Sequence, residues 1–229
     1  MRLNSATIIN NSSNNNGSLT VKSRRFGIGD HHSNLTINGG SVTAFSEERS
    51  GIGGENFDIT INGGSVTASS TRGTGIGGEN SDIIINGGSV KASSQSGNGI
   101  KSDSLTINGG SVTASSKNKQ EKDISSNQIT INGGSVKASS VSRSPKNTQG
   151  QEVYCCTIEN PNSKDVIIDK NPTSWKPKNH QAVDQLYAWL TGETHTISVG
   201  DTTQTYCFDK EHKKFKPITN QNFTFTKPS

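Results

Sequence analysis

The sequence predicts an all-β chain: a parallel β-solenoid of about 24 residues per rung over 1–150, then a small antiparallel β-sandwich over 151–229. Three observations predict it. Leu-Thr-Ile-Asn-Gly-Gly-Ser-Val-Thr-Ala at 35–44 returns, with small changes, at 59–68, 83–92, 105–114 and 129–138. The asparagines of the copies, Asn38, Asn62, Asn86, Asn108 and Asn132, are separated by 24, 24, 22 and 24 residues. Between the copies runs a second motif, Gly27-Ile28-Gly29, Gly51-Ile52-Gly53-Gly54, Gly75-Ile76-Gly77-Gly78 and Gly99-Ile100, whose place Ile124 holds without the glycines. A repeat of this length is one structural unit that cannot bury its apolar side alone and must stack on its neighbours.

Within a copy the alternation has period two. Ile59 and Ile61 share a face while Thr60 points away, and Val66 and Ala68 share a face in the next strand; this is the pattern of a half-buried strand. Asn62-Gly63-Gly64 makes the corner, since glycine takes the positive φ that a tight turn demands. Gly75-Ile76-Gly77 adds one more inward isoleucine. Three short apolar faces give a narrow, roughly triangular section, and the glycines with the period-two pattern exclude a helical solenoid. Rungs spaced by about 4.8 Å turn sequence columns into ladders. Leu35, Ile59, Ile83, Leu105 and Ile129 should line up inside, with the columns headed by Ile37, Val42 and Ala44. Outside, the Asn38–Asn132 column should bond amide to amide as a structural ladder.

The composition fits. A globular domain with 27% hydrophobic and 5% aromatic residues would lean toward disorder, but a thin solenoid needs few apolar residues per rung. The net charge of +4 is too slight and too scattered to argue for nucleic acid. No apolar run is long enough for a membrane helix, and Met1-Arg2-Leu3-Asn4-Ser5 opens no secretory segment. Ala6–Ile9 and Ser18–Val21 read as the strands of a worn rung around a polar loop at 10–16, so the chain is expected to begin mid-solenoid, as a fragment does. In the fourth and fifth copies only seven residues separate Ile100 from Ile107 and Ile124 from Ile131, against nine earlier, while the loop at 117–123 lengthens.

Residues 141–150 read as a linker closing the solenoid. Beyond it the period is lost. Val153–Ile158, Lys164–Ile168, Gln185–Leu190, Thr194–Val199 and Thr203–Phe208 read as strands, with turns at Gly192-Glu193 and Gly200-Asp201. A further strand is expected at Asn222–Thr226, and Asp184–Leu190 has a short helix as its alternative. Trp175, Tyr187, Trp189 and Tyr206 are assigned to the core of this unit. Cys155, Cys156 and Cys207 are either free, half-buried thiols or include one bridge to Cys207.

The stretch GIGGENFDITINGGSVTASS resembles the Gly-Ile-Gly-Gly repeats of large secreted and surface-anchored bacterial proteins. GNGIKSDSLTINGGSVTASS, 97–116, is similar to the β-helix family of carbohydrate-binding domain-containing proteins, and 152–209 resembles the β-sandwich module that follows such repeats. The resemblance implies right-handed β-helical rungs, a cell-surface or extracellular setting, and in some members binding of cellulose or pectic polymers with calcium. Where it implies paired acidic residues near Gly-Ile, this chain has Asn98 before Gly99 and Asp103 after it.

Candidate chemistry comes from the columns. Glu55 and Asp58 hold the same rung positions as Glu79 and Asp82, so four carboxylates stack along one edge about 5 Å apart. They read either as solvated loop carboxylates, eased by Arg49 or Arg72, or as oxygen ligands for Ca2+. One outward face offers Thr36, Thr60, Ile84, Thr106 and Thr130; another offers Thr43, Thr67, Lys91, Thr113 and Lys137, a candidate ligand face for a glycan. Aromatics for stacking on a sugar are missing from it, Phe45 and Phe57 being the only aromatics in the regular rungs. His31, His32, His180, His195 and His212 share no repeat position and show no triad or metal spacing, so no catalytic residue is assigned and no enzyme is expected. The expected function is non-enzymatic: a surface or secreted structural or adhesion protein whose stalk presents or attaches to a protein or glycan partner. The alternative is a polysaccharide-binding module using a flat solenoid face, assisted or not by calcium.

Overall fold

The computed structural model describes residues 7–9, 17–159, 165–169, 171–172 and 185–218. The expected loop at 10–16, Lys164, Trp175, His180, Asp184 and the strand at 222–226 lie outside them. The solenoid strands are β1 (Thr7–Ile9), β2 (Ser18–Ser23), β3 (Ser33–Ile37), β4 (Ser41–Ser46), β5 (Phe57–Ile61), β6 (Ser65–Ser70), β7 (Ile76–Gly77), β8 (Asp82–Ile85), β9 (Ser89–Ser94), β10 (Ile100–Ile107), β11 (Ser111–Ser116), β12 (Ile124–Ile131) and β13 (Ser135–Lys137). After them come β14 (Val153–Glu159), β15 (Val166–Ile168), β16 (Asn171–Pro172), β17 (Gln185–Thr191), β18 (Thr194–Val199), β19 (Thr202–Asp209) and β20 (Lys214–Pro217).

The chain is all-β and coils as a parallel solenoid. One wall is a parallel sheet ordered β1-β3-β5-β8-β10-β12, with β7 beside β10; the second is ordered β2-β4-β6-β9-β11-β13. Register is position for position: Ile59 pairs with Ile83 and Leu105 with Ile129 on the first wall, Val66 with Val90 and Ala68 with Ala92 on the second. Ile28, Ile52 and Ile76 form bridges on the third side. These isoleucines, with Leu35, Ile37, Val42, Ala44 and their column mates through Val136, fill one core and are almost wholly buried. Ser18–Ser23 pairs with Ser41–Ser46 and Thr7–Ile9 with Leu35–Ile37, as the worn first rung requires.

The second glycine of each Asn-Gly-Gly explains the corner. Gly64 has φ +85°, and a Cβ there would lie 2.5 Å from the carbonyl oxygen of Gly40 in the rung below. At the third corner His32, Asn56 and Asn80 sit in the left-handed region, at φ 57°, 52° and 49°. The two-residue shortening in the fourth and fifth copies removes that corner. β10 and β12 therefore run straight from Ile100 to Ile107 and from Ile124 to Ile131, joining two sides that are separate in earlier rungs.

Residues 141–150 are more than a linker. Val141 bridges Ile124 and Lys146 bridges Thr130, both in parallel. The Ile131 amide donates to the Lys146 carbonyl at 2.8 Å and the Ser142 amide to the Ile124 carbonyl at 2.9 Å, so the segment lays down an irregular half-rung. Beyond it β14 and β17 pair antiparallel, and β16-β15-β18-β19-β20 form a second antiparallel sheet. Cys156, Ile158, Leu186, Ala188, Val166 and Ile197 make a small core shared by the two sheets. Gln185–Thr191 is a strand, not a helix. β20 has no counterpart among the strands expected from sequence, because Lys-Phe-Lys-Pro offers a single apolar position before its proline.

This C-terminal unit sits on the last rung. The Trp189 indole N–H donates to the Val136 carbonyl at 2.9 Å, and the Tyr187 amide to the Ser135 hydroxyl at 3.0 Å. Trp189 packs on the solenoid core rather than in the small core expected for it, and Val153 is part of the solenoid core too. A parallel stack ends in a row of unpaired backbone groups, and β17 covers that edge. Tyr206 packs on the small core as expected. All three cysteines are free, with Cys156 buried and Cys207 exposed. Among the described residues no helix is long and apolar enough to cross a membrane.

Candidate functional site

The asparagine column is a continuous ladder. The Nδ2 of Asn62 donates to Asn38 Oδ1 at 2.7 Å, Asn86 to Asn62 at 2.8 Å, Asn108 to Asn86 at 2.8 Å and Asn132 to Asn108 at 2.7 Å. Its upper end is closed by the Thr148 amide, which donates to Asn132 Oδ1 at 3.0 Å. Asn62, Asn86, Asn108 and Asn132 each donate one bond and accept one, so the amides form a directed chain along the column.

A second ladder went unseen in the sequence. Ser70, Ser94 and Ser116 are in phase with the inward Val and Ala of their strands. Their hydroxyls donate to the carbonyls of Arg49, Gly73 and Gly97 at 2.5, 2.6 and 2.8 Å. Ser46 does the same to Arg25. Each hydroxyl also accepts a backbone N–H three residues on, or two for Ser116. The period-two rule carried one position further would have found them. At the end of the stack Asp123 replaces the corner glycine, and its carboxylate accepts the amides of Ser116 (2.7 Å), Ser139 (2.6 Å) and Ser140 (3.2 Å).

The acidic edge stacks in register but its carboxylates turn to different partners. Asp58 Oδ1 accepts the Asp82 amide at 2.9 Å. Glu79 is paired with Lys101, and Glu55 lies 3.8 Å from His31 Nδ1. Among the described residues no three His, Cys, Asp or Glu side chains come together as a metal site. Asn98, at the position where the resemblance implies acids, is buried and donates to Glu121 Oε2 at 2.9 Å and to the Lys122 carbonyl at 3.2 Å. Asp103 accepts the Asn127 amide group at 3.2 Å.

The face Thr43, Thr67, Lys91, Thr113 and Lys137 forms one straight outward row, paired strand to strand. Lys91 and Lys137 are both exposed, and the Lys137 Nζ lies 5.3 Å from the centre of the Tyr187 ring. Phe57 does not face solvent: it is 0% exposed, in phase with Ile59 and Ile61, and stacked between Ser33 and Ser81. Of the two rung aromatics only Phe45 reaches the outer surface, and only partly.

In the C-terminal unit the structure joins residues that no spacing connected. His195 is buried, its Nδ1 2.6 Å from Asp169 Oδ2 and its Nε2 2.9 Å from the Thr191 carbonyl. The Thr191 hydroxyl is 3.3 Å from the same Nε2. Because that nitrogen faces a carbonyl, which only accepts, it donates there and does not serve as a base toward the hydroxyl. The trio clasps the β17–β18 turn to the end of β15. Burial pushes the Cys155 thiol up to about 11 and the Cys156 thiol to about 12, so both are protonated at neutral pH. Asp209 is held well below the usual carboxylate range by Lys216 and by the amide and ring of His212.

Two surface clefts are present at the C-terminal end of the stack. One, of about 320 Å³, opens where the shortened rungs lack their corner, beside Glu79, Lys101 and Asn127. The other, of about 570 Å³, runs between the half-rung and the C-terminal unit, lined by Val141, Pro145, Trp189, Arg143 and Lys213 among others. Ser142 and Arg143 border both.

The class this geometry defines is a β-helical repeat protein. A beta helix repeat family model matches residues 35–54, 59–80, 83–100, 105–117 and 129–142, the same rungs the coordinates stack, and supports a β-helix family. No curated protein and no solved structure matches the chain.

Proposed function

We propose that the chain is a non-enzymatic structural or adhesion protein of a cell surface or secreted assembly, its solenoid a stiff stalk that presents or attaches to a partner. The observation that carries this reading is the unbroken position-for-position register of β4, β6, β9 and β11. Such a stack extends in one direction by about 4.8 Å per rung while repeating one surface, which suits spacing and attachment. The resemblance to secreted and surface-anchored repeat proteins supports the setting.

The second reading, polysaccharide binding, is favoured by the straight row of Thr43, Thr67, Lys91, Thr113 and Lys137, where hydroxyls and two exposed cations follow one another at rung spacing. Calcium would enter through Glu55, Asp58, Glu79 and Asp82 if these side chains turned from their present partners. The test is retention of the full chain on insoluble pectin, cellulose and chitin, with calcium or with chelator, alongside a reducing-end assay. The stalk reading expects no saturable retention and no released ends. Retention lost in Lys91→Glu would replace it with the glycan reading, retention lost in chelator would assign calcium, and release of reducing ends would overturn both.

A further inference from the structure

The cleft between the half-rung and the C-terminal unit combines two features that the solenoid walls keep apart. Its floor is apolar, made by Val141, Pro145, Val153 and the indole of Trp189. Its rim carries Arg143 from the half-rung, Lys213 from the β19–β20 turn and Lys214 from the start of β20, all exposed. None of the residues lining it is acidic, although three carboxylates stand at its margin: Glu152, which accepts the Tyr154 hydroxyl at 2.7 Å, Asp209, which pairs across the hairpin from Lys214 but is engaged by Lys216 and His212, and Glu211 on the turn. Cys155 also lines it, and its protonated thiol adds no negative charge there.

Each feature selects against a class of ligand. A neutral glycan has no charge to offer the rim. A uniform polyanion meets the rim but leaves the apolar floor wet, forfeiting the burial that would stabilise the complex. A purely apolar segment gains the floor but desolvates the cations without compensation. We propose that this cleft is a docking site for an acidic protein segment that carries an apolar side chain as anchor, the anchor seated against Trp189 and Val141 and its carboxylates meeting Arg143, Lys213 and Lys214. The proposal rests on the reading of the chain as an attachment protein and names the partner's chemistry. Rim cations of this kind steer association and fix orientation, while the buried anchor supplies most of the affinity.

The probe is a synthetic array of Glu/Asp-rich peptides, each with one Leu, Phe or Trp, titrated by fluorescence anisotropy against the full chain. Controls are the same peptides with Ala at the anchor, poly-glutamate and polygalacturonate. Anchored peptides should bind saturably, and Arg143→Glu or the pair Lys213→Glu with Lys214→Glu should each weaken binding by about tenfold. Lys210→Glu, on the same turn but outside the cleft, and Lys91→Glu, on the solenoid wall, should leave it unchanged. Exposed charge reversals keep the core intact, which unaltered melting curves verify. Poly-glutamate or polygalacturonate binding as tightly as anchored peptides would overturn the proposal. So would anchored peptides that fail to bind, or that bind the reversed variants equally well. The polysaccharide assay reads the wall and this one reads the cleft, so either can fail without deciding the other.

Discussion

Replacing Asn86 tests whether the asparagine ladder is held by directed amide bonds or only by the stacking of the walls behind it. Asn86 donates one side-chain bond to Asn62 and accepts one from Asn108, both at 2.8 Å. A net hydrogen bond contributes about 0.5–1.5 kcal/mol, with the lower end apt for an exposed column. Asn86→Ala should therefore cost about 1–2 kcal/mol, a fall in Tm of roughly 2–8 °C for a chain of this size. Asn86→Asp separates the two explanations. The introduced carboxylate still accepts from Asn108, but it has no proton for Asn62 Oδ1, and the two oxygens repel at bonding distance. At pH 7 this variant should be less stable than Asn86→Ala. The folded stack prefers the protonated form, which raises the pKa of the new group above its unfolded value near ~4. The recovered stability is then fully present below that unfolded pKa and lost as pH rises through the folded one. Thermal melts read by circular dichroism at pH 3.5 and pH 7, each referred to wild type at the same pH, measure it. An Asn86→Asp penalty equal to that of Asn86→Ala, and the same at both pH values, would refute the ladder.

Other expectations follow from burial and charge. Phe57→Ala empties the interior of its rung and should cost about 3–5 kcal/mol in equilibrium unfolding, whereas an outward Phe57 would cost almost nothing. Iodoacetamide at pH 8, followed by peptide mass spectrometry, should label exposed Cys207 well before Cys155 and Cys156, whose protonated thiols are poor nucleophiles; equal labelling would contradict the burial of the vicinal pair. Asp209, with its lowered pKa, stabilises the β19–β20 hairpin above the unfolded carboxylate pKa and stops doing so as pH falls through the folded value. Hydrogen exchange at pH 7 should therefore show faster exchange of β20 amides in Asp209→Asn, with the two chains converging in strong acid.

The rungs were legible because every inward position repeats. Ile59, Ile61, Val66 and Ala68 announce their side by phase and size, and stacking them at a fixed step turns sequence columns directly into contacts. The same logic places Asn38 to Asn132 in one row. It was not carried as far as Ser70 and Phe57. Neither a serine nor a lone phenylalanine repeats the Ile, Val and Ala of the columns, yet both sit on the inward parity of their strands. The acidic edge shows a different limit. Register brings Glu55 over Glu79, but a long side chain turns toward the nearest cation, and Lys101 stands where the earlier rungs have glycine. Pro145 disguised the half-rung at 141–150 as a linker, although proline accepts a ladder bond and needs only to avoid donating one. In the C-terminal unit the contacts of His195 with Asp169, and of Trp189 with Val136, join distant segments with no period to announce them.

The shortened corner has a consequence for assembly of the chain. Copies this similar are nearly interchangeable, so a strand displaced by one whole period would still find isoleucine over isoleucine and asparagine beside asparagine. The first wall breaks that uniformity where β8 meets β10: Glu79 and Asn80, the latter at φ 49°, lie in a bend on one side, and a straight strand follows on the other. The missing residues mark one point in an otherwise uniform thread, the step at which bent rungs give way to straight ones.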